Sequence, residues 1–157
     1  MPSTPATMSL TRAGVAFTVH EYQAADDSDG TYGEAVAAAL GVDPDRVFKT
    51  LVTLVDGRPT VAIVPVAGQL SLKALCRAVG GRRAELASPQ DAQRWTGFVI
   101  GGMSPFGQKR RLPTVVDATV LGFEAVFVGG GRRGIQVELA PDDLLAVAGA
   151  EVAELTG

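Results

Sequence analysis

Lys49 is the residue whose type is hardest to explain by structure alone. It lies within an apolar stretch from Val47 to Val55, which predicts a strand buried on both faces. Because burying an ammonium group is costly, its side chain must reach solvent, pair with a carboxylate, or line a pocket where its charge can act on a ligand. Thr50 beside it could hydrogen-bond a ligand or only favour the strand. Structural and chemical roles for Lys49 therefore both stay open.

A second stretch, Thr96 to Pro113, combines glycines with a dense basic cluster. Gly101 and Gly102 precede a segment rich in proline and glycine that can continue neither a helix nor a strand. Paired glycines let the backbone approach a ligand closely and can aim successive N–H groups at an oxygen. The run from Gln108 to Arg111 would favour an anionic partner such as a phosphate. A long turn with a solvated charged edge explains the same residues.

The remaining nucleophiles and bases form no recognisable catalytic set. Cys76 fits a small buried hydrophobe on a helix better than a nucleophile, and His20 has no visible triad partner. There is neither a Gly-x-Ser-x-Gly elbow nor a phosphate-binding P-loop. The glycine-rich segment with Arg132 and Arg133 lies between two apolar runs and predicts a hairpin turn, although its arginines could face an RNA end.

Length and composition favour one globular domain over residues 1–157. Hydrophobic residues make up 46% and charged residues 20%, and the net charge of -3 requires any nucleic-acid contact to come from a local basic patch. One cysteine and one histidine exclude a disulfide framework and argue against a transition-metal centre, so we expect no metal and no cofactor. No apolar run is long enough to span a bilayer and no signal peptide is visible, so we expect a cytoplasmic protein without a membrane partner.

The order of predicted elements is mixed. Capping residues predict helices beginning near Pro5, Thr31, Ser71, Ser88 and Pro141. Apolar runs predict strands at Val15 to Tyr22, Val47 to Val55, Thr60 to Pro65, Thr114 to Val116, Ala125 to Val128 and Ile135 to Leu139, and Phe98 to Ile100 indicates the end of another buried strand. Hairpins set among helices favour an α+β fold around a curved or closed sheet over a doubly wound parallel sheet.

Five motifs that occur in order carry a resemblance to a known family. They are Phe48-Lys-Thr-Leu51, Val64-Pro-Val-Ala-Gly-Gln69, Thr96-Gly-Phe-x-x-Gly-Gly-Met-Ser-Pro-Phe-Gly107, Lys109-Arg-Arg-Leu-Pro113 and Gly130-Gly-Arg-Arg-Gly134. Together they closely resemble the YbaK/EbsC family of the prolyl-tRNA editing superfamily, which includes the insertion domain of bacterial prolyl-tRNA synthetase. The resemblance covers nearly the whole chain and is stronger than any single motif.

The resemblance implies a fold, an activity and partners. The implied fold is a mixed α/β domain with a central, largely antiparallel, barrel-like sheet surrounded by helices. The implied activity is trans-acting hydrolysis of mischarged tRNA, with Cys-tRNA(Pro) as the best-known substrate class and Cys-tRNA(Cys) also accepted. Related members favour alanyl- or seryl-tRNA. The expected partners are the 3′ end of aminoacyl-tRNA and either prolyl-tRNA synthetase or an elongation factor, and we expect a monomer.

The resemblance also implies site residues. The important lysine of the family falls on Lys49 and its glycine loop on Gly101 and Gly102, which we assign as catalytic. We assign substrate binding to Tyr22, Phe48, Thr50, Met103, Ser104, Pro105 and Gln136, and tRNA binding to Lys109, Arg110, Arg111, Arg132 and Arg133. The family mechanism is thought to be substrate-assisted, because the cysteinyl thiol attacks its own ester carbonyl and leaves as a thiolactone. Lys49 would orient the carbonyl or the terminal phosphate, and N–H groups near Gly101 would contact the developing oxyanion.

One position departs from the family pattern. Relatives often carry an aspartate where this chain has Gln136, while Glu138 is retained. A glutamine can hydrogen-bond but cannot be an anionic partner for Lys49 or a base. Two alternatives to a Cys-tRNA(Pro) deacylase therefore stay open: an alanyl- or seryl-tRNA deacylase of the same superfamily, and a non-catalytic module that binds tRNA or a synthetase.

Overall fold

The structure is a computed structural model that describes residues 2–23 and 32–157. Thr31, the expected first residue of a capping box, lies outside these ranges. The helices within them are α1 (Pro5–Ala13), α2 (Tyr32–Leu40), α3 (Leu72–Val79), α4 (Pro89–Thr96) and α5 (Pro141–Ala148). The strands are β1 (Phe17–Glu21), β2 (Phe48–Val55), β3 (Arg58–Pro65), β4 (Ala84–Leu86), β5 (Thr114–Asp117), β6 (Val126–Gly129), β7 (Ile135–Leu139) and β8 (Ala150–Ala153).

The strands form two sheets. One is antiparallel with the order β1-β7-β6, and the other is mixed with the order β4-β2-β3-β5-β8. In the second sheet β2 pairs antiparallel with both neighbours, whereas the β3–β5 and β5–β8 pairs are parallel. A parallel bridge between Val47 and Phe127 joins the two sheets at the start of β2. The predicted α+β class is confirmed, and neither sheet is closed into a barrel.

The helix boundaries follow from the capping residues. The Ser71 and Ser88 side chains accept hydrogen bonds from the third residue of α3 and α4, and Thr4 does the same for α1. Proline at the first position of α4 has no N–H to leave unpaired. α3 ends at Gly80, which adopts φ 73° and is therefore a position that favours glycine.

Strand β2 is buried on both faces, as its continuous apolar sequence predicts. Phe48 and Val52 belong to the main core beneath α1, α4 and α5, while Val55 belongs to a second core under α3. Val47 joins a third apolar cluster with residues of α2 and with Phe127 of β6. Because β2 belongs to two clusters and the residue before it to a third, this stretch of chain fixes the relative positions of the elements around it.

The segment from Phe98 to Ile100 is not a strand, so that prediction is wrong. Phe98 is buried in the core, but Val99 and Ile100 are exposed. The Ile100 N–H donates to the side-chain oxygen of Gln93 rather than to a strand. Gly101 then adopts φ 91°, which turns the chain. The apolar run therefore belongs to a loop held by side chains.

Asp117 ties the C-terminal segment to the end of β5. Its Oδ1 accepts hydrogen bonds from the N–H groups of Leu155 (2.8 Å) and Thr156 (3.2 Å), and its Oδ2 accepts from Thr119 N–H (3.2 Å) and Oγ1 (2.6 Å). Burial alone would raise the pKa of this carboxyl, but the hydrogen bonds together outweigh it and hold the pKa below its usual value.

We expect Asp117→Ala to lower the free energy of unfolding at pH 7 by about 2–3 kcal/mol, because four donors lose a buried charged acceptor. Since the pKa is lower in the folded protein, this carboxylate stabilises the fold above its unfolded pKa of about 3.9 and ceases to do so as the pH falls through its folded value. Urea unfolding at pH 7 and at pH 3 measures both effects. Asp142→Ala, at an exposed position, is the control, and an equal loss in the two variants would contradict the expectation.

Candidate active site

A cavity of about 440 Å³ lies beside the junction of the two sheets. Its walls come from α2, the first half of β2, the connection from β4 to α4, the ends of β6 and β7, and residues 97–107, which we call the glycine loop. Of the residues that the sequence assigns to the site, six line this cavity: Phe48, Lys49, Thr50, Gly101, Met103 and Gln136. Residues distant in the sequence therefore share one concave surface.

Strand β2 presents an uncovered main-chain edge to the cavity. Val47 accepts a hydrogen bond from Val66 on the β3 side, whereas Val52 accepts one from Ala87 on the opposite side. Because successive residues of a strand alternate, the N–H and C=O of Thr50 also point away from β3. β4 pairs only with the far end of β2, and within residues 2–23 and 32–157 no strand covers this edge at Thr50. A ligand can therefore find both a main-chain donor and a main-chain acceptor there.

Two buried side-chain oxygens on the walls have no hydrogen-bond partner among the residues that the structure describes. They are Thr50 Oγ1 and Gln136 Oε1, on residues whose exposed fractions are 9% and 6%. Gln136 is held in register by Gly129 on one side and His20 on the other, since β7 is the central strand of its sheet. Buried acceptors without donors are rare in folded proteins, so a ligand that supplies donors is the natural explanation.

Lys49 lies in the cavity wall and is half-buried. It forms no ion pair with any described carboxylate, although Glu34 of α2 lines the same cavity. Of the three arrangements that the sequence allowed, the structure therefore has the one in which the lysine lines a pocket. An unpaired cation on such a wall can attract a carbonyl oxygen or a phosphate.

The glycine loop contributes to the wall through Gly101 and Met103, but Gly102 lies behind it. The N–H of Gly102 donates to the carbonyl of Val99 at 3.0 Å, so this amide is already used within the turn. A Cβ atom on Gly102 would lie 2.9 Å from the backbone of Arg132, which explains why this position is glycine. The assignment of Gly102 to the oxyanion therefore has no support in the hydrogen bonding.

Three other residues assigned to substrate binding lie outside the cavity wall. Ser104 and Pro105 are buried, and Ser104 Oγ accepts a hydrogen bond from the Phe106 N–H at 3.2 Å. Tyr22 packs on the cluster formed by α2 and Phe127, and its N–H donates to another part of the main chain. Ser104 and Pro105 therefore belong to the buried side of the glycine loop, and Tyr22 belongs to the apolar cluster.

The five basic residues assigned to tRNA occupy three positions. Arg132 and Arg133 are exposed beside the glycine loop, where the Arg132 backbone lies against Gly102 and Arg133 Nε donates to the Ile100 carbonyl at 3.1 Å. Arg111 packs its guanidinium over Gly149 at the end of α5. Lys109 and Arg110 are exposed beyond the end of α4, and their N–H groups donate to its last carbonyls.

Glu138 has a structural role on the outer side of β7. It accepts from His20 Nε2 at 2.9 Å and from Arg46 at 3.3 Å, and the Arg46 guanidinium lies 5.0 Å from the centre of the Phe127 ring. Each member is partly buried by the others. The histidine and the retained glutamate are thus explained by a surface cluster.

Part of the wall gave no signal in the sequence. Leu86, Ala87 and Pro89 reach the cavity only because the short strand β4 pairs with β2. Gly129 could have been suspected from its glycine-rich surroundings. A Cβ atom there would overlap the main-chain oxygen of Met103, so the two walls meet backbone to backbone.

No group of three or more histidine, cysteine, aspartate or glutamate side chains in residues 2–23 and 32–157 is placed to hold a metal ion. In the same ranges, none of the helices has the length and apolar character needed to cross a bilayer.

Comparison with known sequences defines the class of protein. The family model described as the aminoacyl-tRNA editing domain matches residues 29–147. This match covers most of the chain, from α2 through α5, and includes every element that lines the cavity. The chain therefore belongs to the aminoacyl-tRNA editing domain family.

Individual relatives agree with this assignment. The chain is 38% identical over 137 residues to EbsC of Enterococcus faecalis, to which a Cys-tRNA(Pro)/Cys-tRNA(Cys) deacylase activity is attributed, and the match covers 87% of this chain and 84% of EbsC. It is 40% identical over 101 residues to the proline–tRNA ligase of Maridesulfovibrio salexigens, of which it spans only 17%. A solved structure described as a trans-editing enzyme for prolyl-tRNA synthetase superimposes with a TM-score of 0.78 at 29% identity, covering 95% of this chain and 97% of the other. The resemblance to the YbaK/EbsC family is confirmed.

Proposed function

We propose that this protein is a trans-acting aminoacyl-tRNA deacylase that clears Cys-tRNA(Pro), and also Cys-tRNA(Cys), with residues 1–157 acting as one editing domain in the cytoplasm. The observation that carries this proposal is the cavity in which Lys49 lies beside unpaired acceptors on Thr50 and Gln136. Its volume suits a small amino acid together with part of a ribose. The similarity to EbsC supports the choice of cysteine as the substrate amino acid.

The polar groups of the wall match those of an aminoacyl ester. An α-ammonium group supplies three donors, for which the Thr50 carbonyl and Gln136 Oε1 are suitable acceptors. The ester carbonyl then faces Lys49, whose charge stabilises the negative charge that develops on the oxygen during attack. The aminoacyl ester is already reactive, so holding it in one geometry also contributes to the rate of deacylation.

We place the nucleophile in the substrate. No cysteine, serine or histidine of the described residues lines the cavity, and Cys76 packs in the core under α3. The cysteinyl sulfur would form a bond to its own carbonyl carbon while the bond from that carbon to the ribose oxygen breaks. The thiol proton passes to the departing ribose oxygen, so the products are a cysteine thiolactone and uncharged tRNA. Water afterwards opens the thiolactone.

Gln136 is a neutral residue of the wall at a position where relatives often carry an aspartate. A glutamine accepts from the α-ammonium without neutralising Lys49, so the full charge of the lysine remains available to the carbonyl oxygen. Alanine and serine can occupy the same volume, because a site that differs by one methylene discriminates by only about 1–3 kcal/mol. Selection of cysteine would then rest on its thiol rather than on the shape of the cavity.

A time course with tRNA(Pro) charged with cysteine, alanine, serine or proline tests the proposed substrate. We expect rapid loss of cysteine only, because serine has nearly the same size but lacks the thiolate nucleophile. Preferential loss of alanine or serine would identify a sister substrate and exclude thiol assistance. Binding without any turnover would instead identify a tRNA- or synthetase-binding module.

The arginines beside the glycine loop, Arg132 and Arg133, are proposed to contact the phosphates of the tRNA end. We expect Arg132→Gln to weaken binding of Cys-tRNA(Pro) and to make the slope of log affinity against log salt shallower by about 1, because one phosphate contact is lost. Arg77→Gln on the exposed part of α3 is the control. Arg111→Gln in the same titration tests whether the second basic position contacts the same RNA. An unchanged slope in Arg132→Gln would show that Arg132 does not contact a phosphate of the tRNA.

A protein partner is proposed to raise the effective affinity for tRNA. The net charge of -3 gives the protein little general attraction for a polyanion. Prolyl-tRNA synthetase or an elongation factor could hold the charged tRNA nearby and raise its local concentration. Adding prolyl-tRNA synthetase should then lower the tRNA concentration needed for half-maximal turnover.

A further inference from the structure

The mouth of the cavity carries an apolar surface that the deacylation chemistry does not use. Leu86 at the end of β4, Pro89 at the start of α4 and Ile100 in the glycine loop all line the opening, and we call them the apolar lip. The exposed fractions are 59% for Leu86 and 41% for Ile100. Side chains of this size are costly to leave in water, so a cluster of them around an opening indicates a contact surface.

The lip is held in place by its surroundings. Ile100 is fixed through both of its main-chain groups, since its N–H donates to Gln93 Oε1 and its carbonyl accepts from Arg133 Nε, each at 3.1 Å. Leu86 lies opposite Thr53 in the sheet, and Pro89 is in the first turn of a capped helix. The exposed side chains therefore need little further ordering when a ligand binds.

We propose that the apolar lip binds the nucleobase of the terminal adenosine of aminoacyl-tRNA. This inference rests on the proposed function, because the ester joins the amino acid in the cavity directly to the ribose of that adenosine. When the amino acid is bound, the ribose lies at the mouth and its base is within reach of the lip. An unpaired base at a single-stranded end offers an apolar face that packs well on such side chains.

The charged side chains around the lip suit the binding of a nucleotide, which carries a negative phosphate. Arg132 is exposed and Arg133 is joined by a hydrogen bond to Ile100 itself, so cationic groups border the apolar side chains on one side. If the base packs on the lip and its 5′ phosphate faces these arginines, the apolar face of the base contacts apolar side chains and the phosphate lies near positive charge.

Two non-hydrolysable probes separate the base from the amino acid. One is 3′-cysteinylamino-3′-deoxyadenosine, and the other carries the same amide on a ribose without a base. We expect the wild-type protein to bind the adenosine probe about tenfold more tightly, as measured by NMR titration. In the double variant Leu86→Ser/Ile100→Ser the two probes should bind equally, because the base loses its apolar contact.

The matched control is Leu121→Ser, a leucine of 57% exposure that lies outside the cavity and should preserve the preference for the adenosine probe. Equal or undetectable binding of both probes to wild type would overturn the proposal, as would a preference that survives in the double variant. A wild-type dimer that the double variant converts to a monomer would assign the lip to self-association instead. Deacylation of charged tRNA by wild type is measured separately, so its absence would contradict the proposed function rather than the role of the lip alone.

Discussion

Replacing Lys49 by methionine is expected to slow deacylation of Cys-tRNA(Pro) by about a hundredfold or more, the cost of losing one preorganised group that stabilises the oxyanion. Methionine keeps most of the length and apolar character of the stem but removes the charge. Lys49 has no ion-pair partner among the described residues, so the substitution leaves no buried carboxylate without its cation. The folded variant should therefore be at least as stable as wild type. Initial rates at saturating tRNA, together with a urea unfolding curve, measure both quantities.

Lys73→Met provides the control, since Lys73 is an exposed lysine on α3 outside the cavity. It should leave the rate unchanged. Lys49→Arg keeps the charge in a larger group and should retain part of the activity. If Lys49→Met were as active as wild type while correctly folded, Lys49 would have no part in the chemistry.

Gly129→Ala is expected to destabilise the protein by about 3 kcal/mol and to reduce activity in the remaining folded fraction. Its Cβ atom would overlap the main-chain oxygen of Met103, and neither of these backbone segments can move freely. Gly129 pairs with Gln136 in the sheet, and all three residues line the cavity. Accommodating the methyl group would therefore move Gln136 away from the glycine loop.

Gly122→Ala is the matched control, because a Cβ atom there would meet no other atom within 4 Å. Its free energy of unfolding should stay within about 0.5 kcal/mol of wild type. Chemical denaturation of both variants gives the comparison. Equal stability of the two variants would mean that the backbone at Gly129 and Met103 can move apart without loss of stability.

The strength of local signals explains which elements could be predicted from the sequence. β2 is largely apolar, and its hairpin with β3 has an Asp-Gly turn. The local sequence pattern was therefore enough to predict the strand, the turn and a mostly buried position. The same reasoning made Lys49 conspicuous. Helix ends were equally visible, because a serine cap and a following glycine act locally.

Elements that depend on long-range pairing gave little or no such signal. β4 is three residues long and half-exposed or exposed, and only its pairing with β2 makes it a strand. Phe98 to Ile100 has the composition of a strand, but side chains of Gln93 and Arg133 take the hydrogen bonds of Ile100. Composition alone could not distinguish these two outcomes.

Part of the cavity wall could be predicted from the sequence. The lysine and one glycine of the loop were conspicuous by type, and the family resemblance supplied their proposed roles. That Thr50 and Gln136 line the same cavity could not be derived from the sequence, because β2 and β7 belong to different sheets. The hydrogen bond from the Gly102 N–H to a carbonyl of its own turn could not be predicted either, since it depends on the conformation of the loop.

The most direct test of the central claim is the initial rate at which the purified protein releases cysteine from Cys-tRNA(Pro), with Pro-tRNA(Pro) as the matched substrate. We expect a rate that rises in proportion to protein concentration for the cysteinyl ester, while the prolyl ester decays at its protein-free rate. A cysteinyl ester that decays at the protein-free rate, with the protein folded and in excess, would contradict the assignment of deacylase activity.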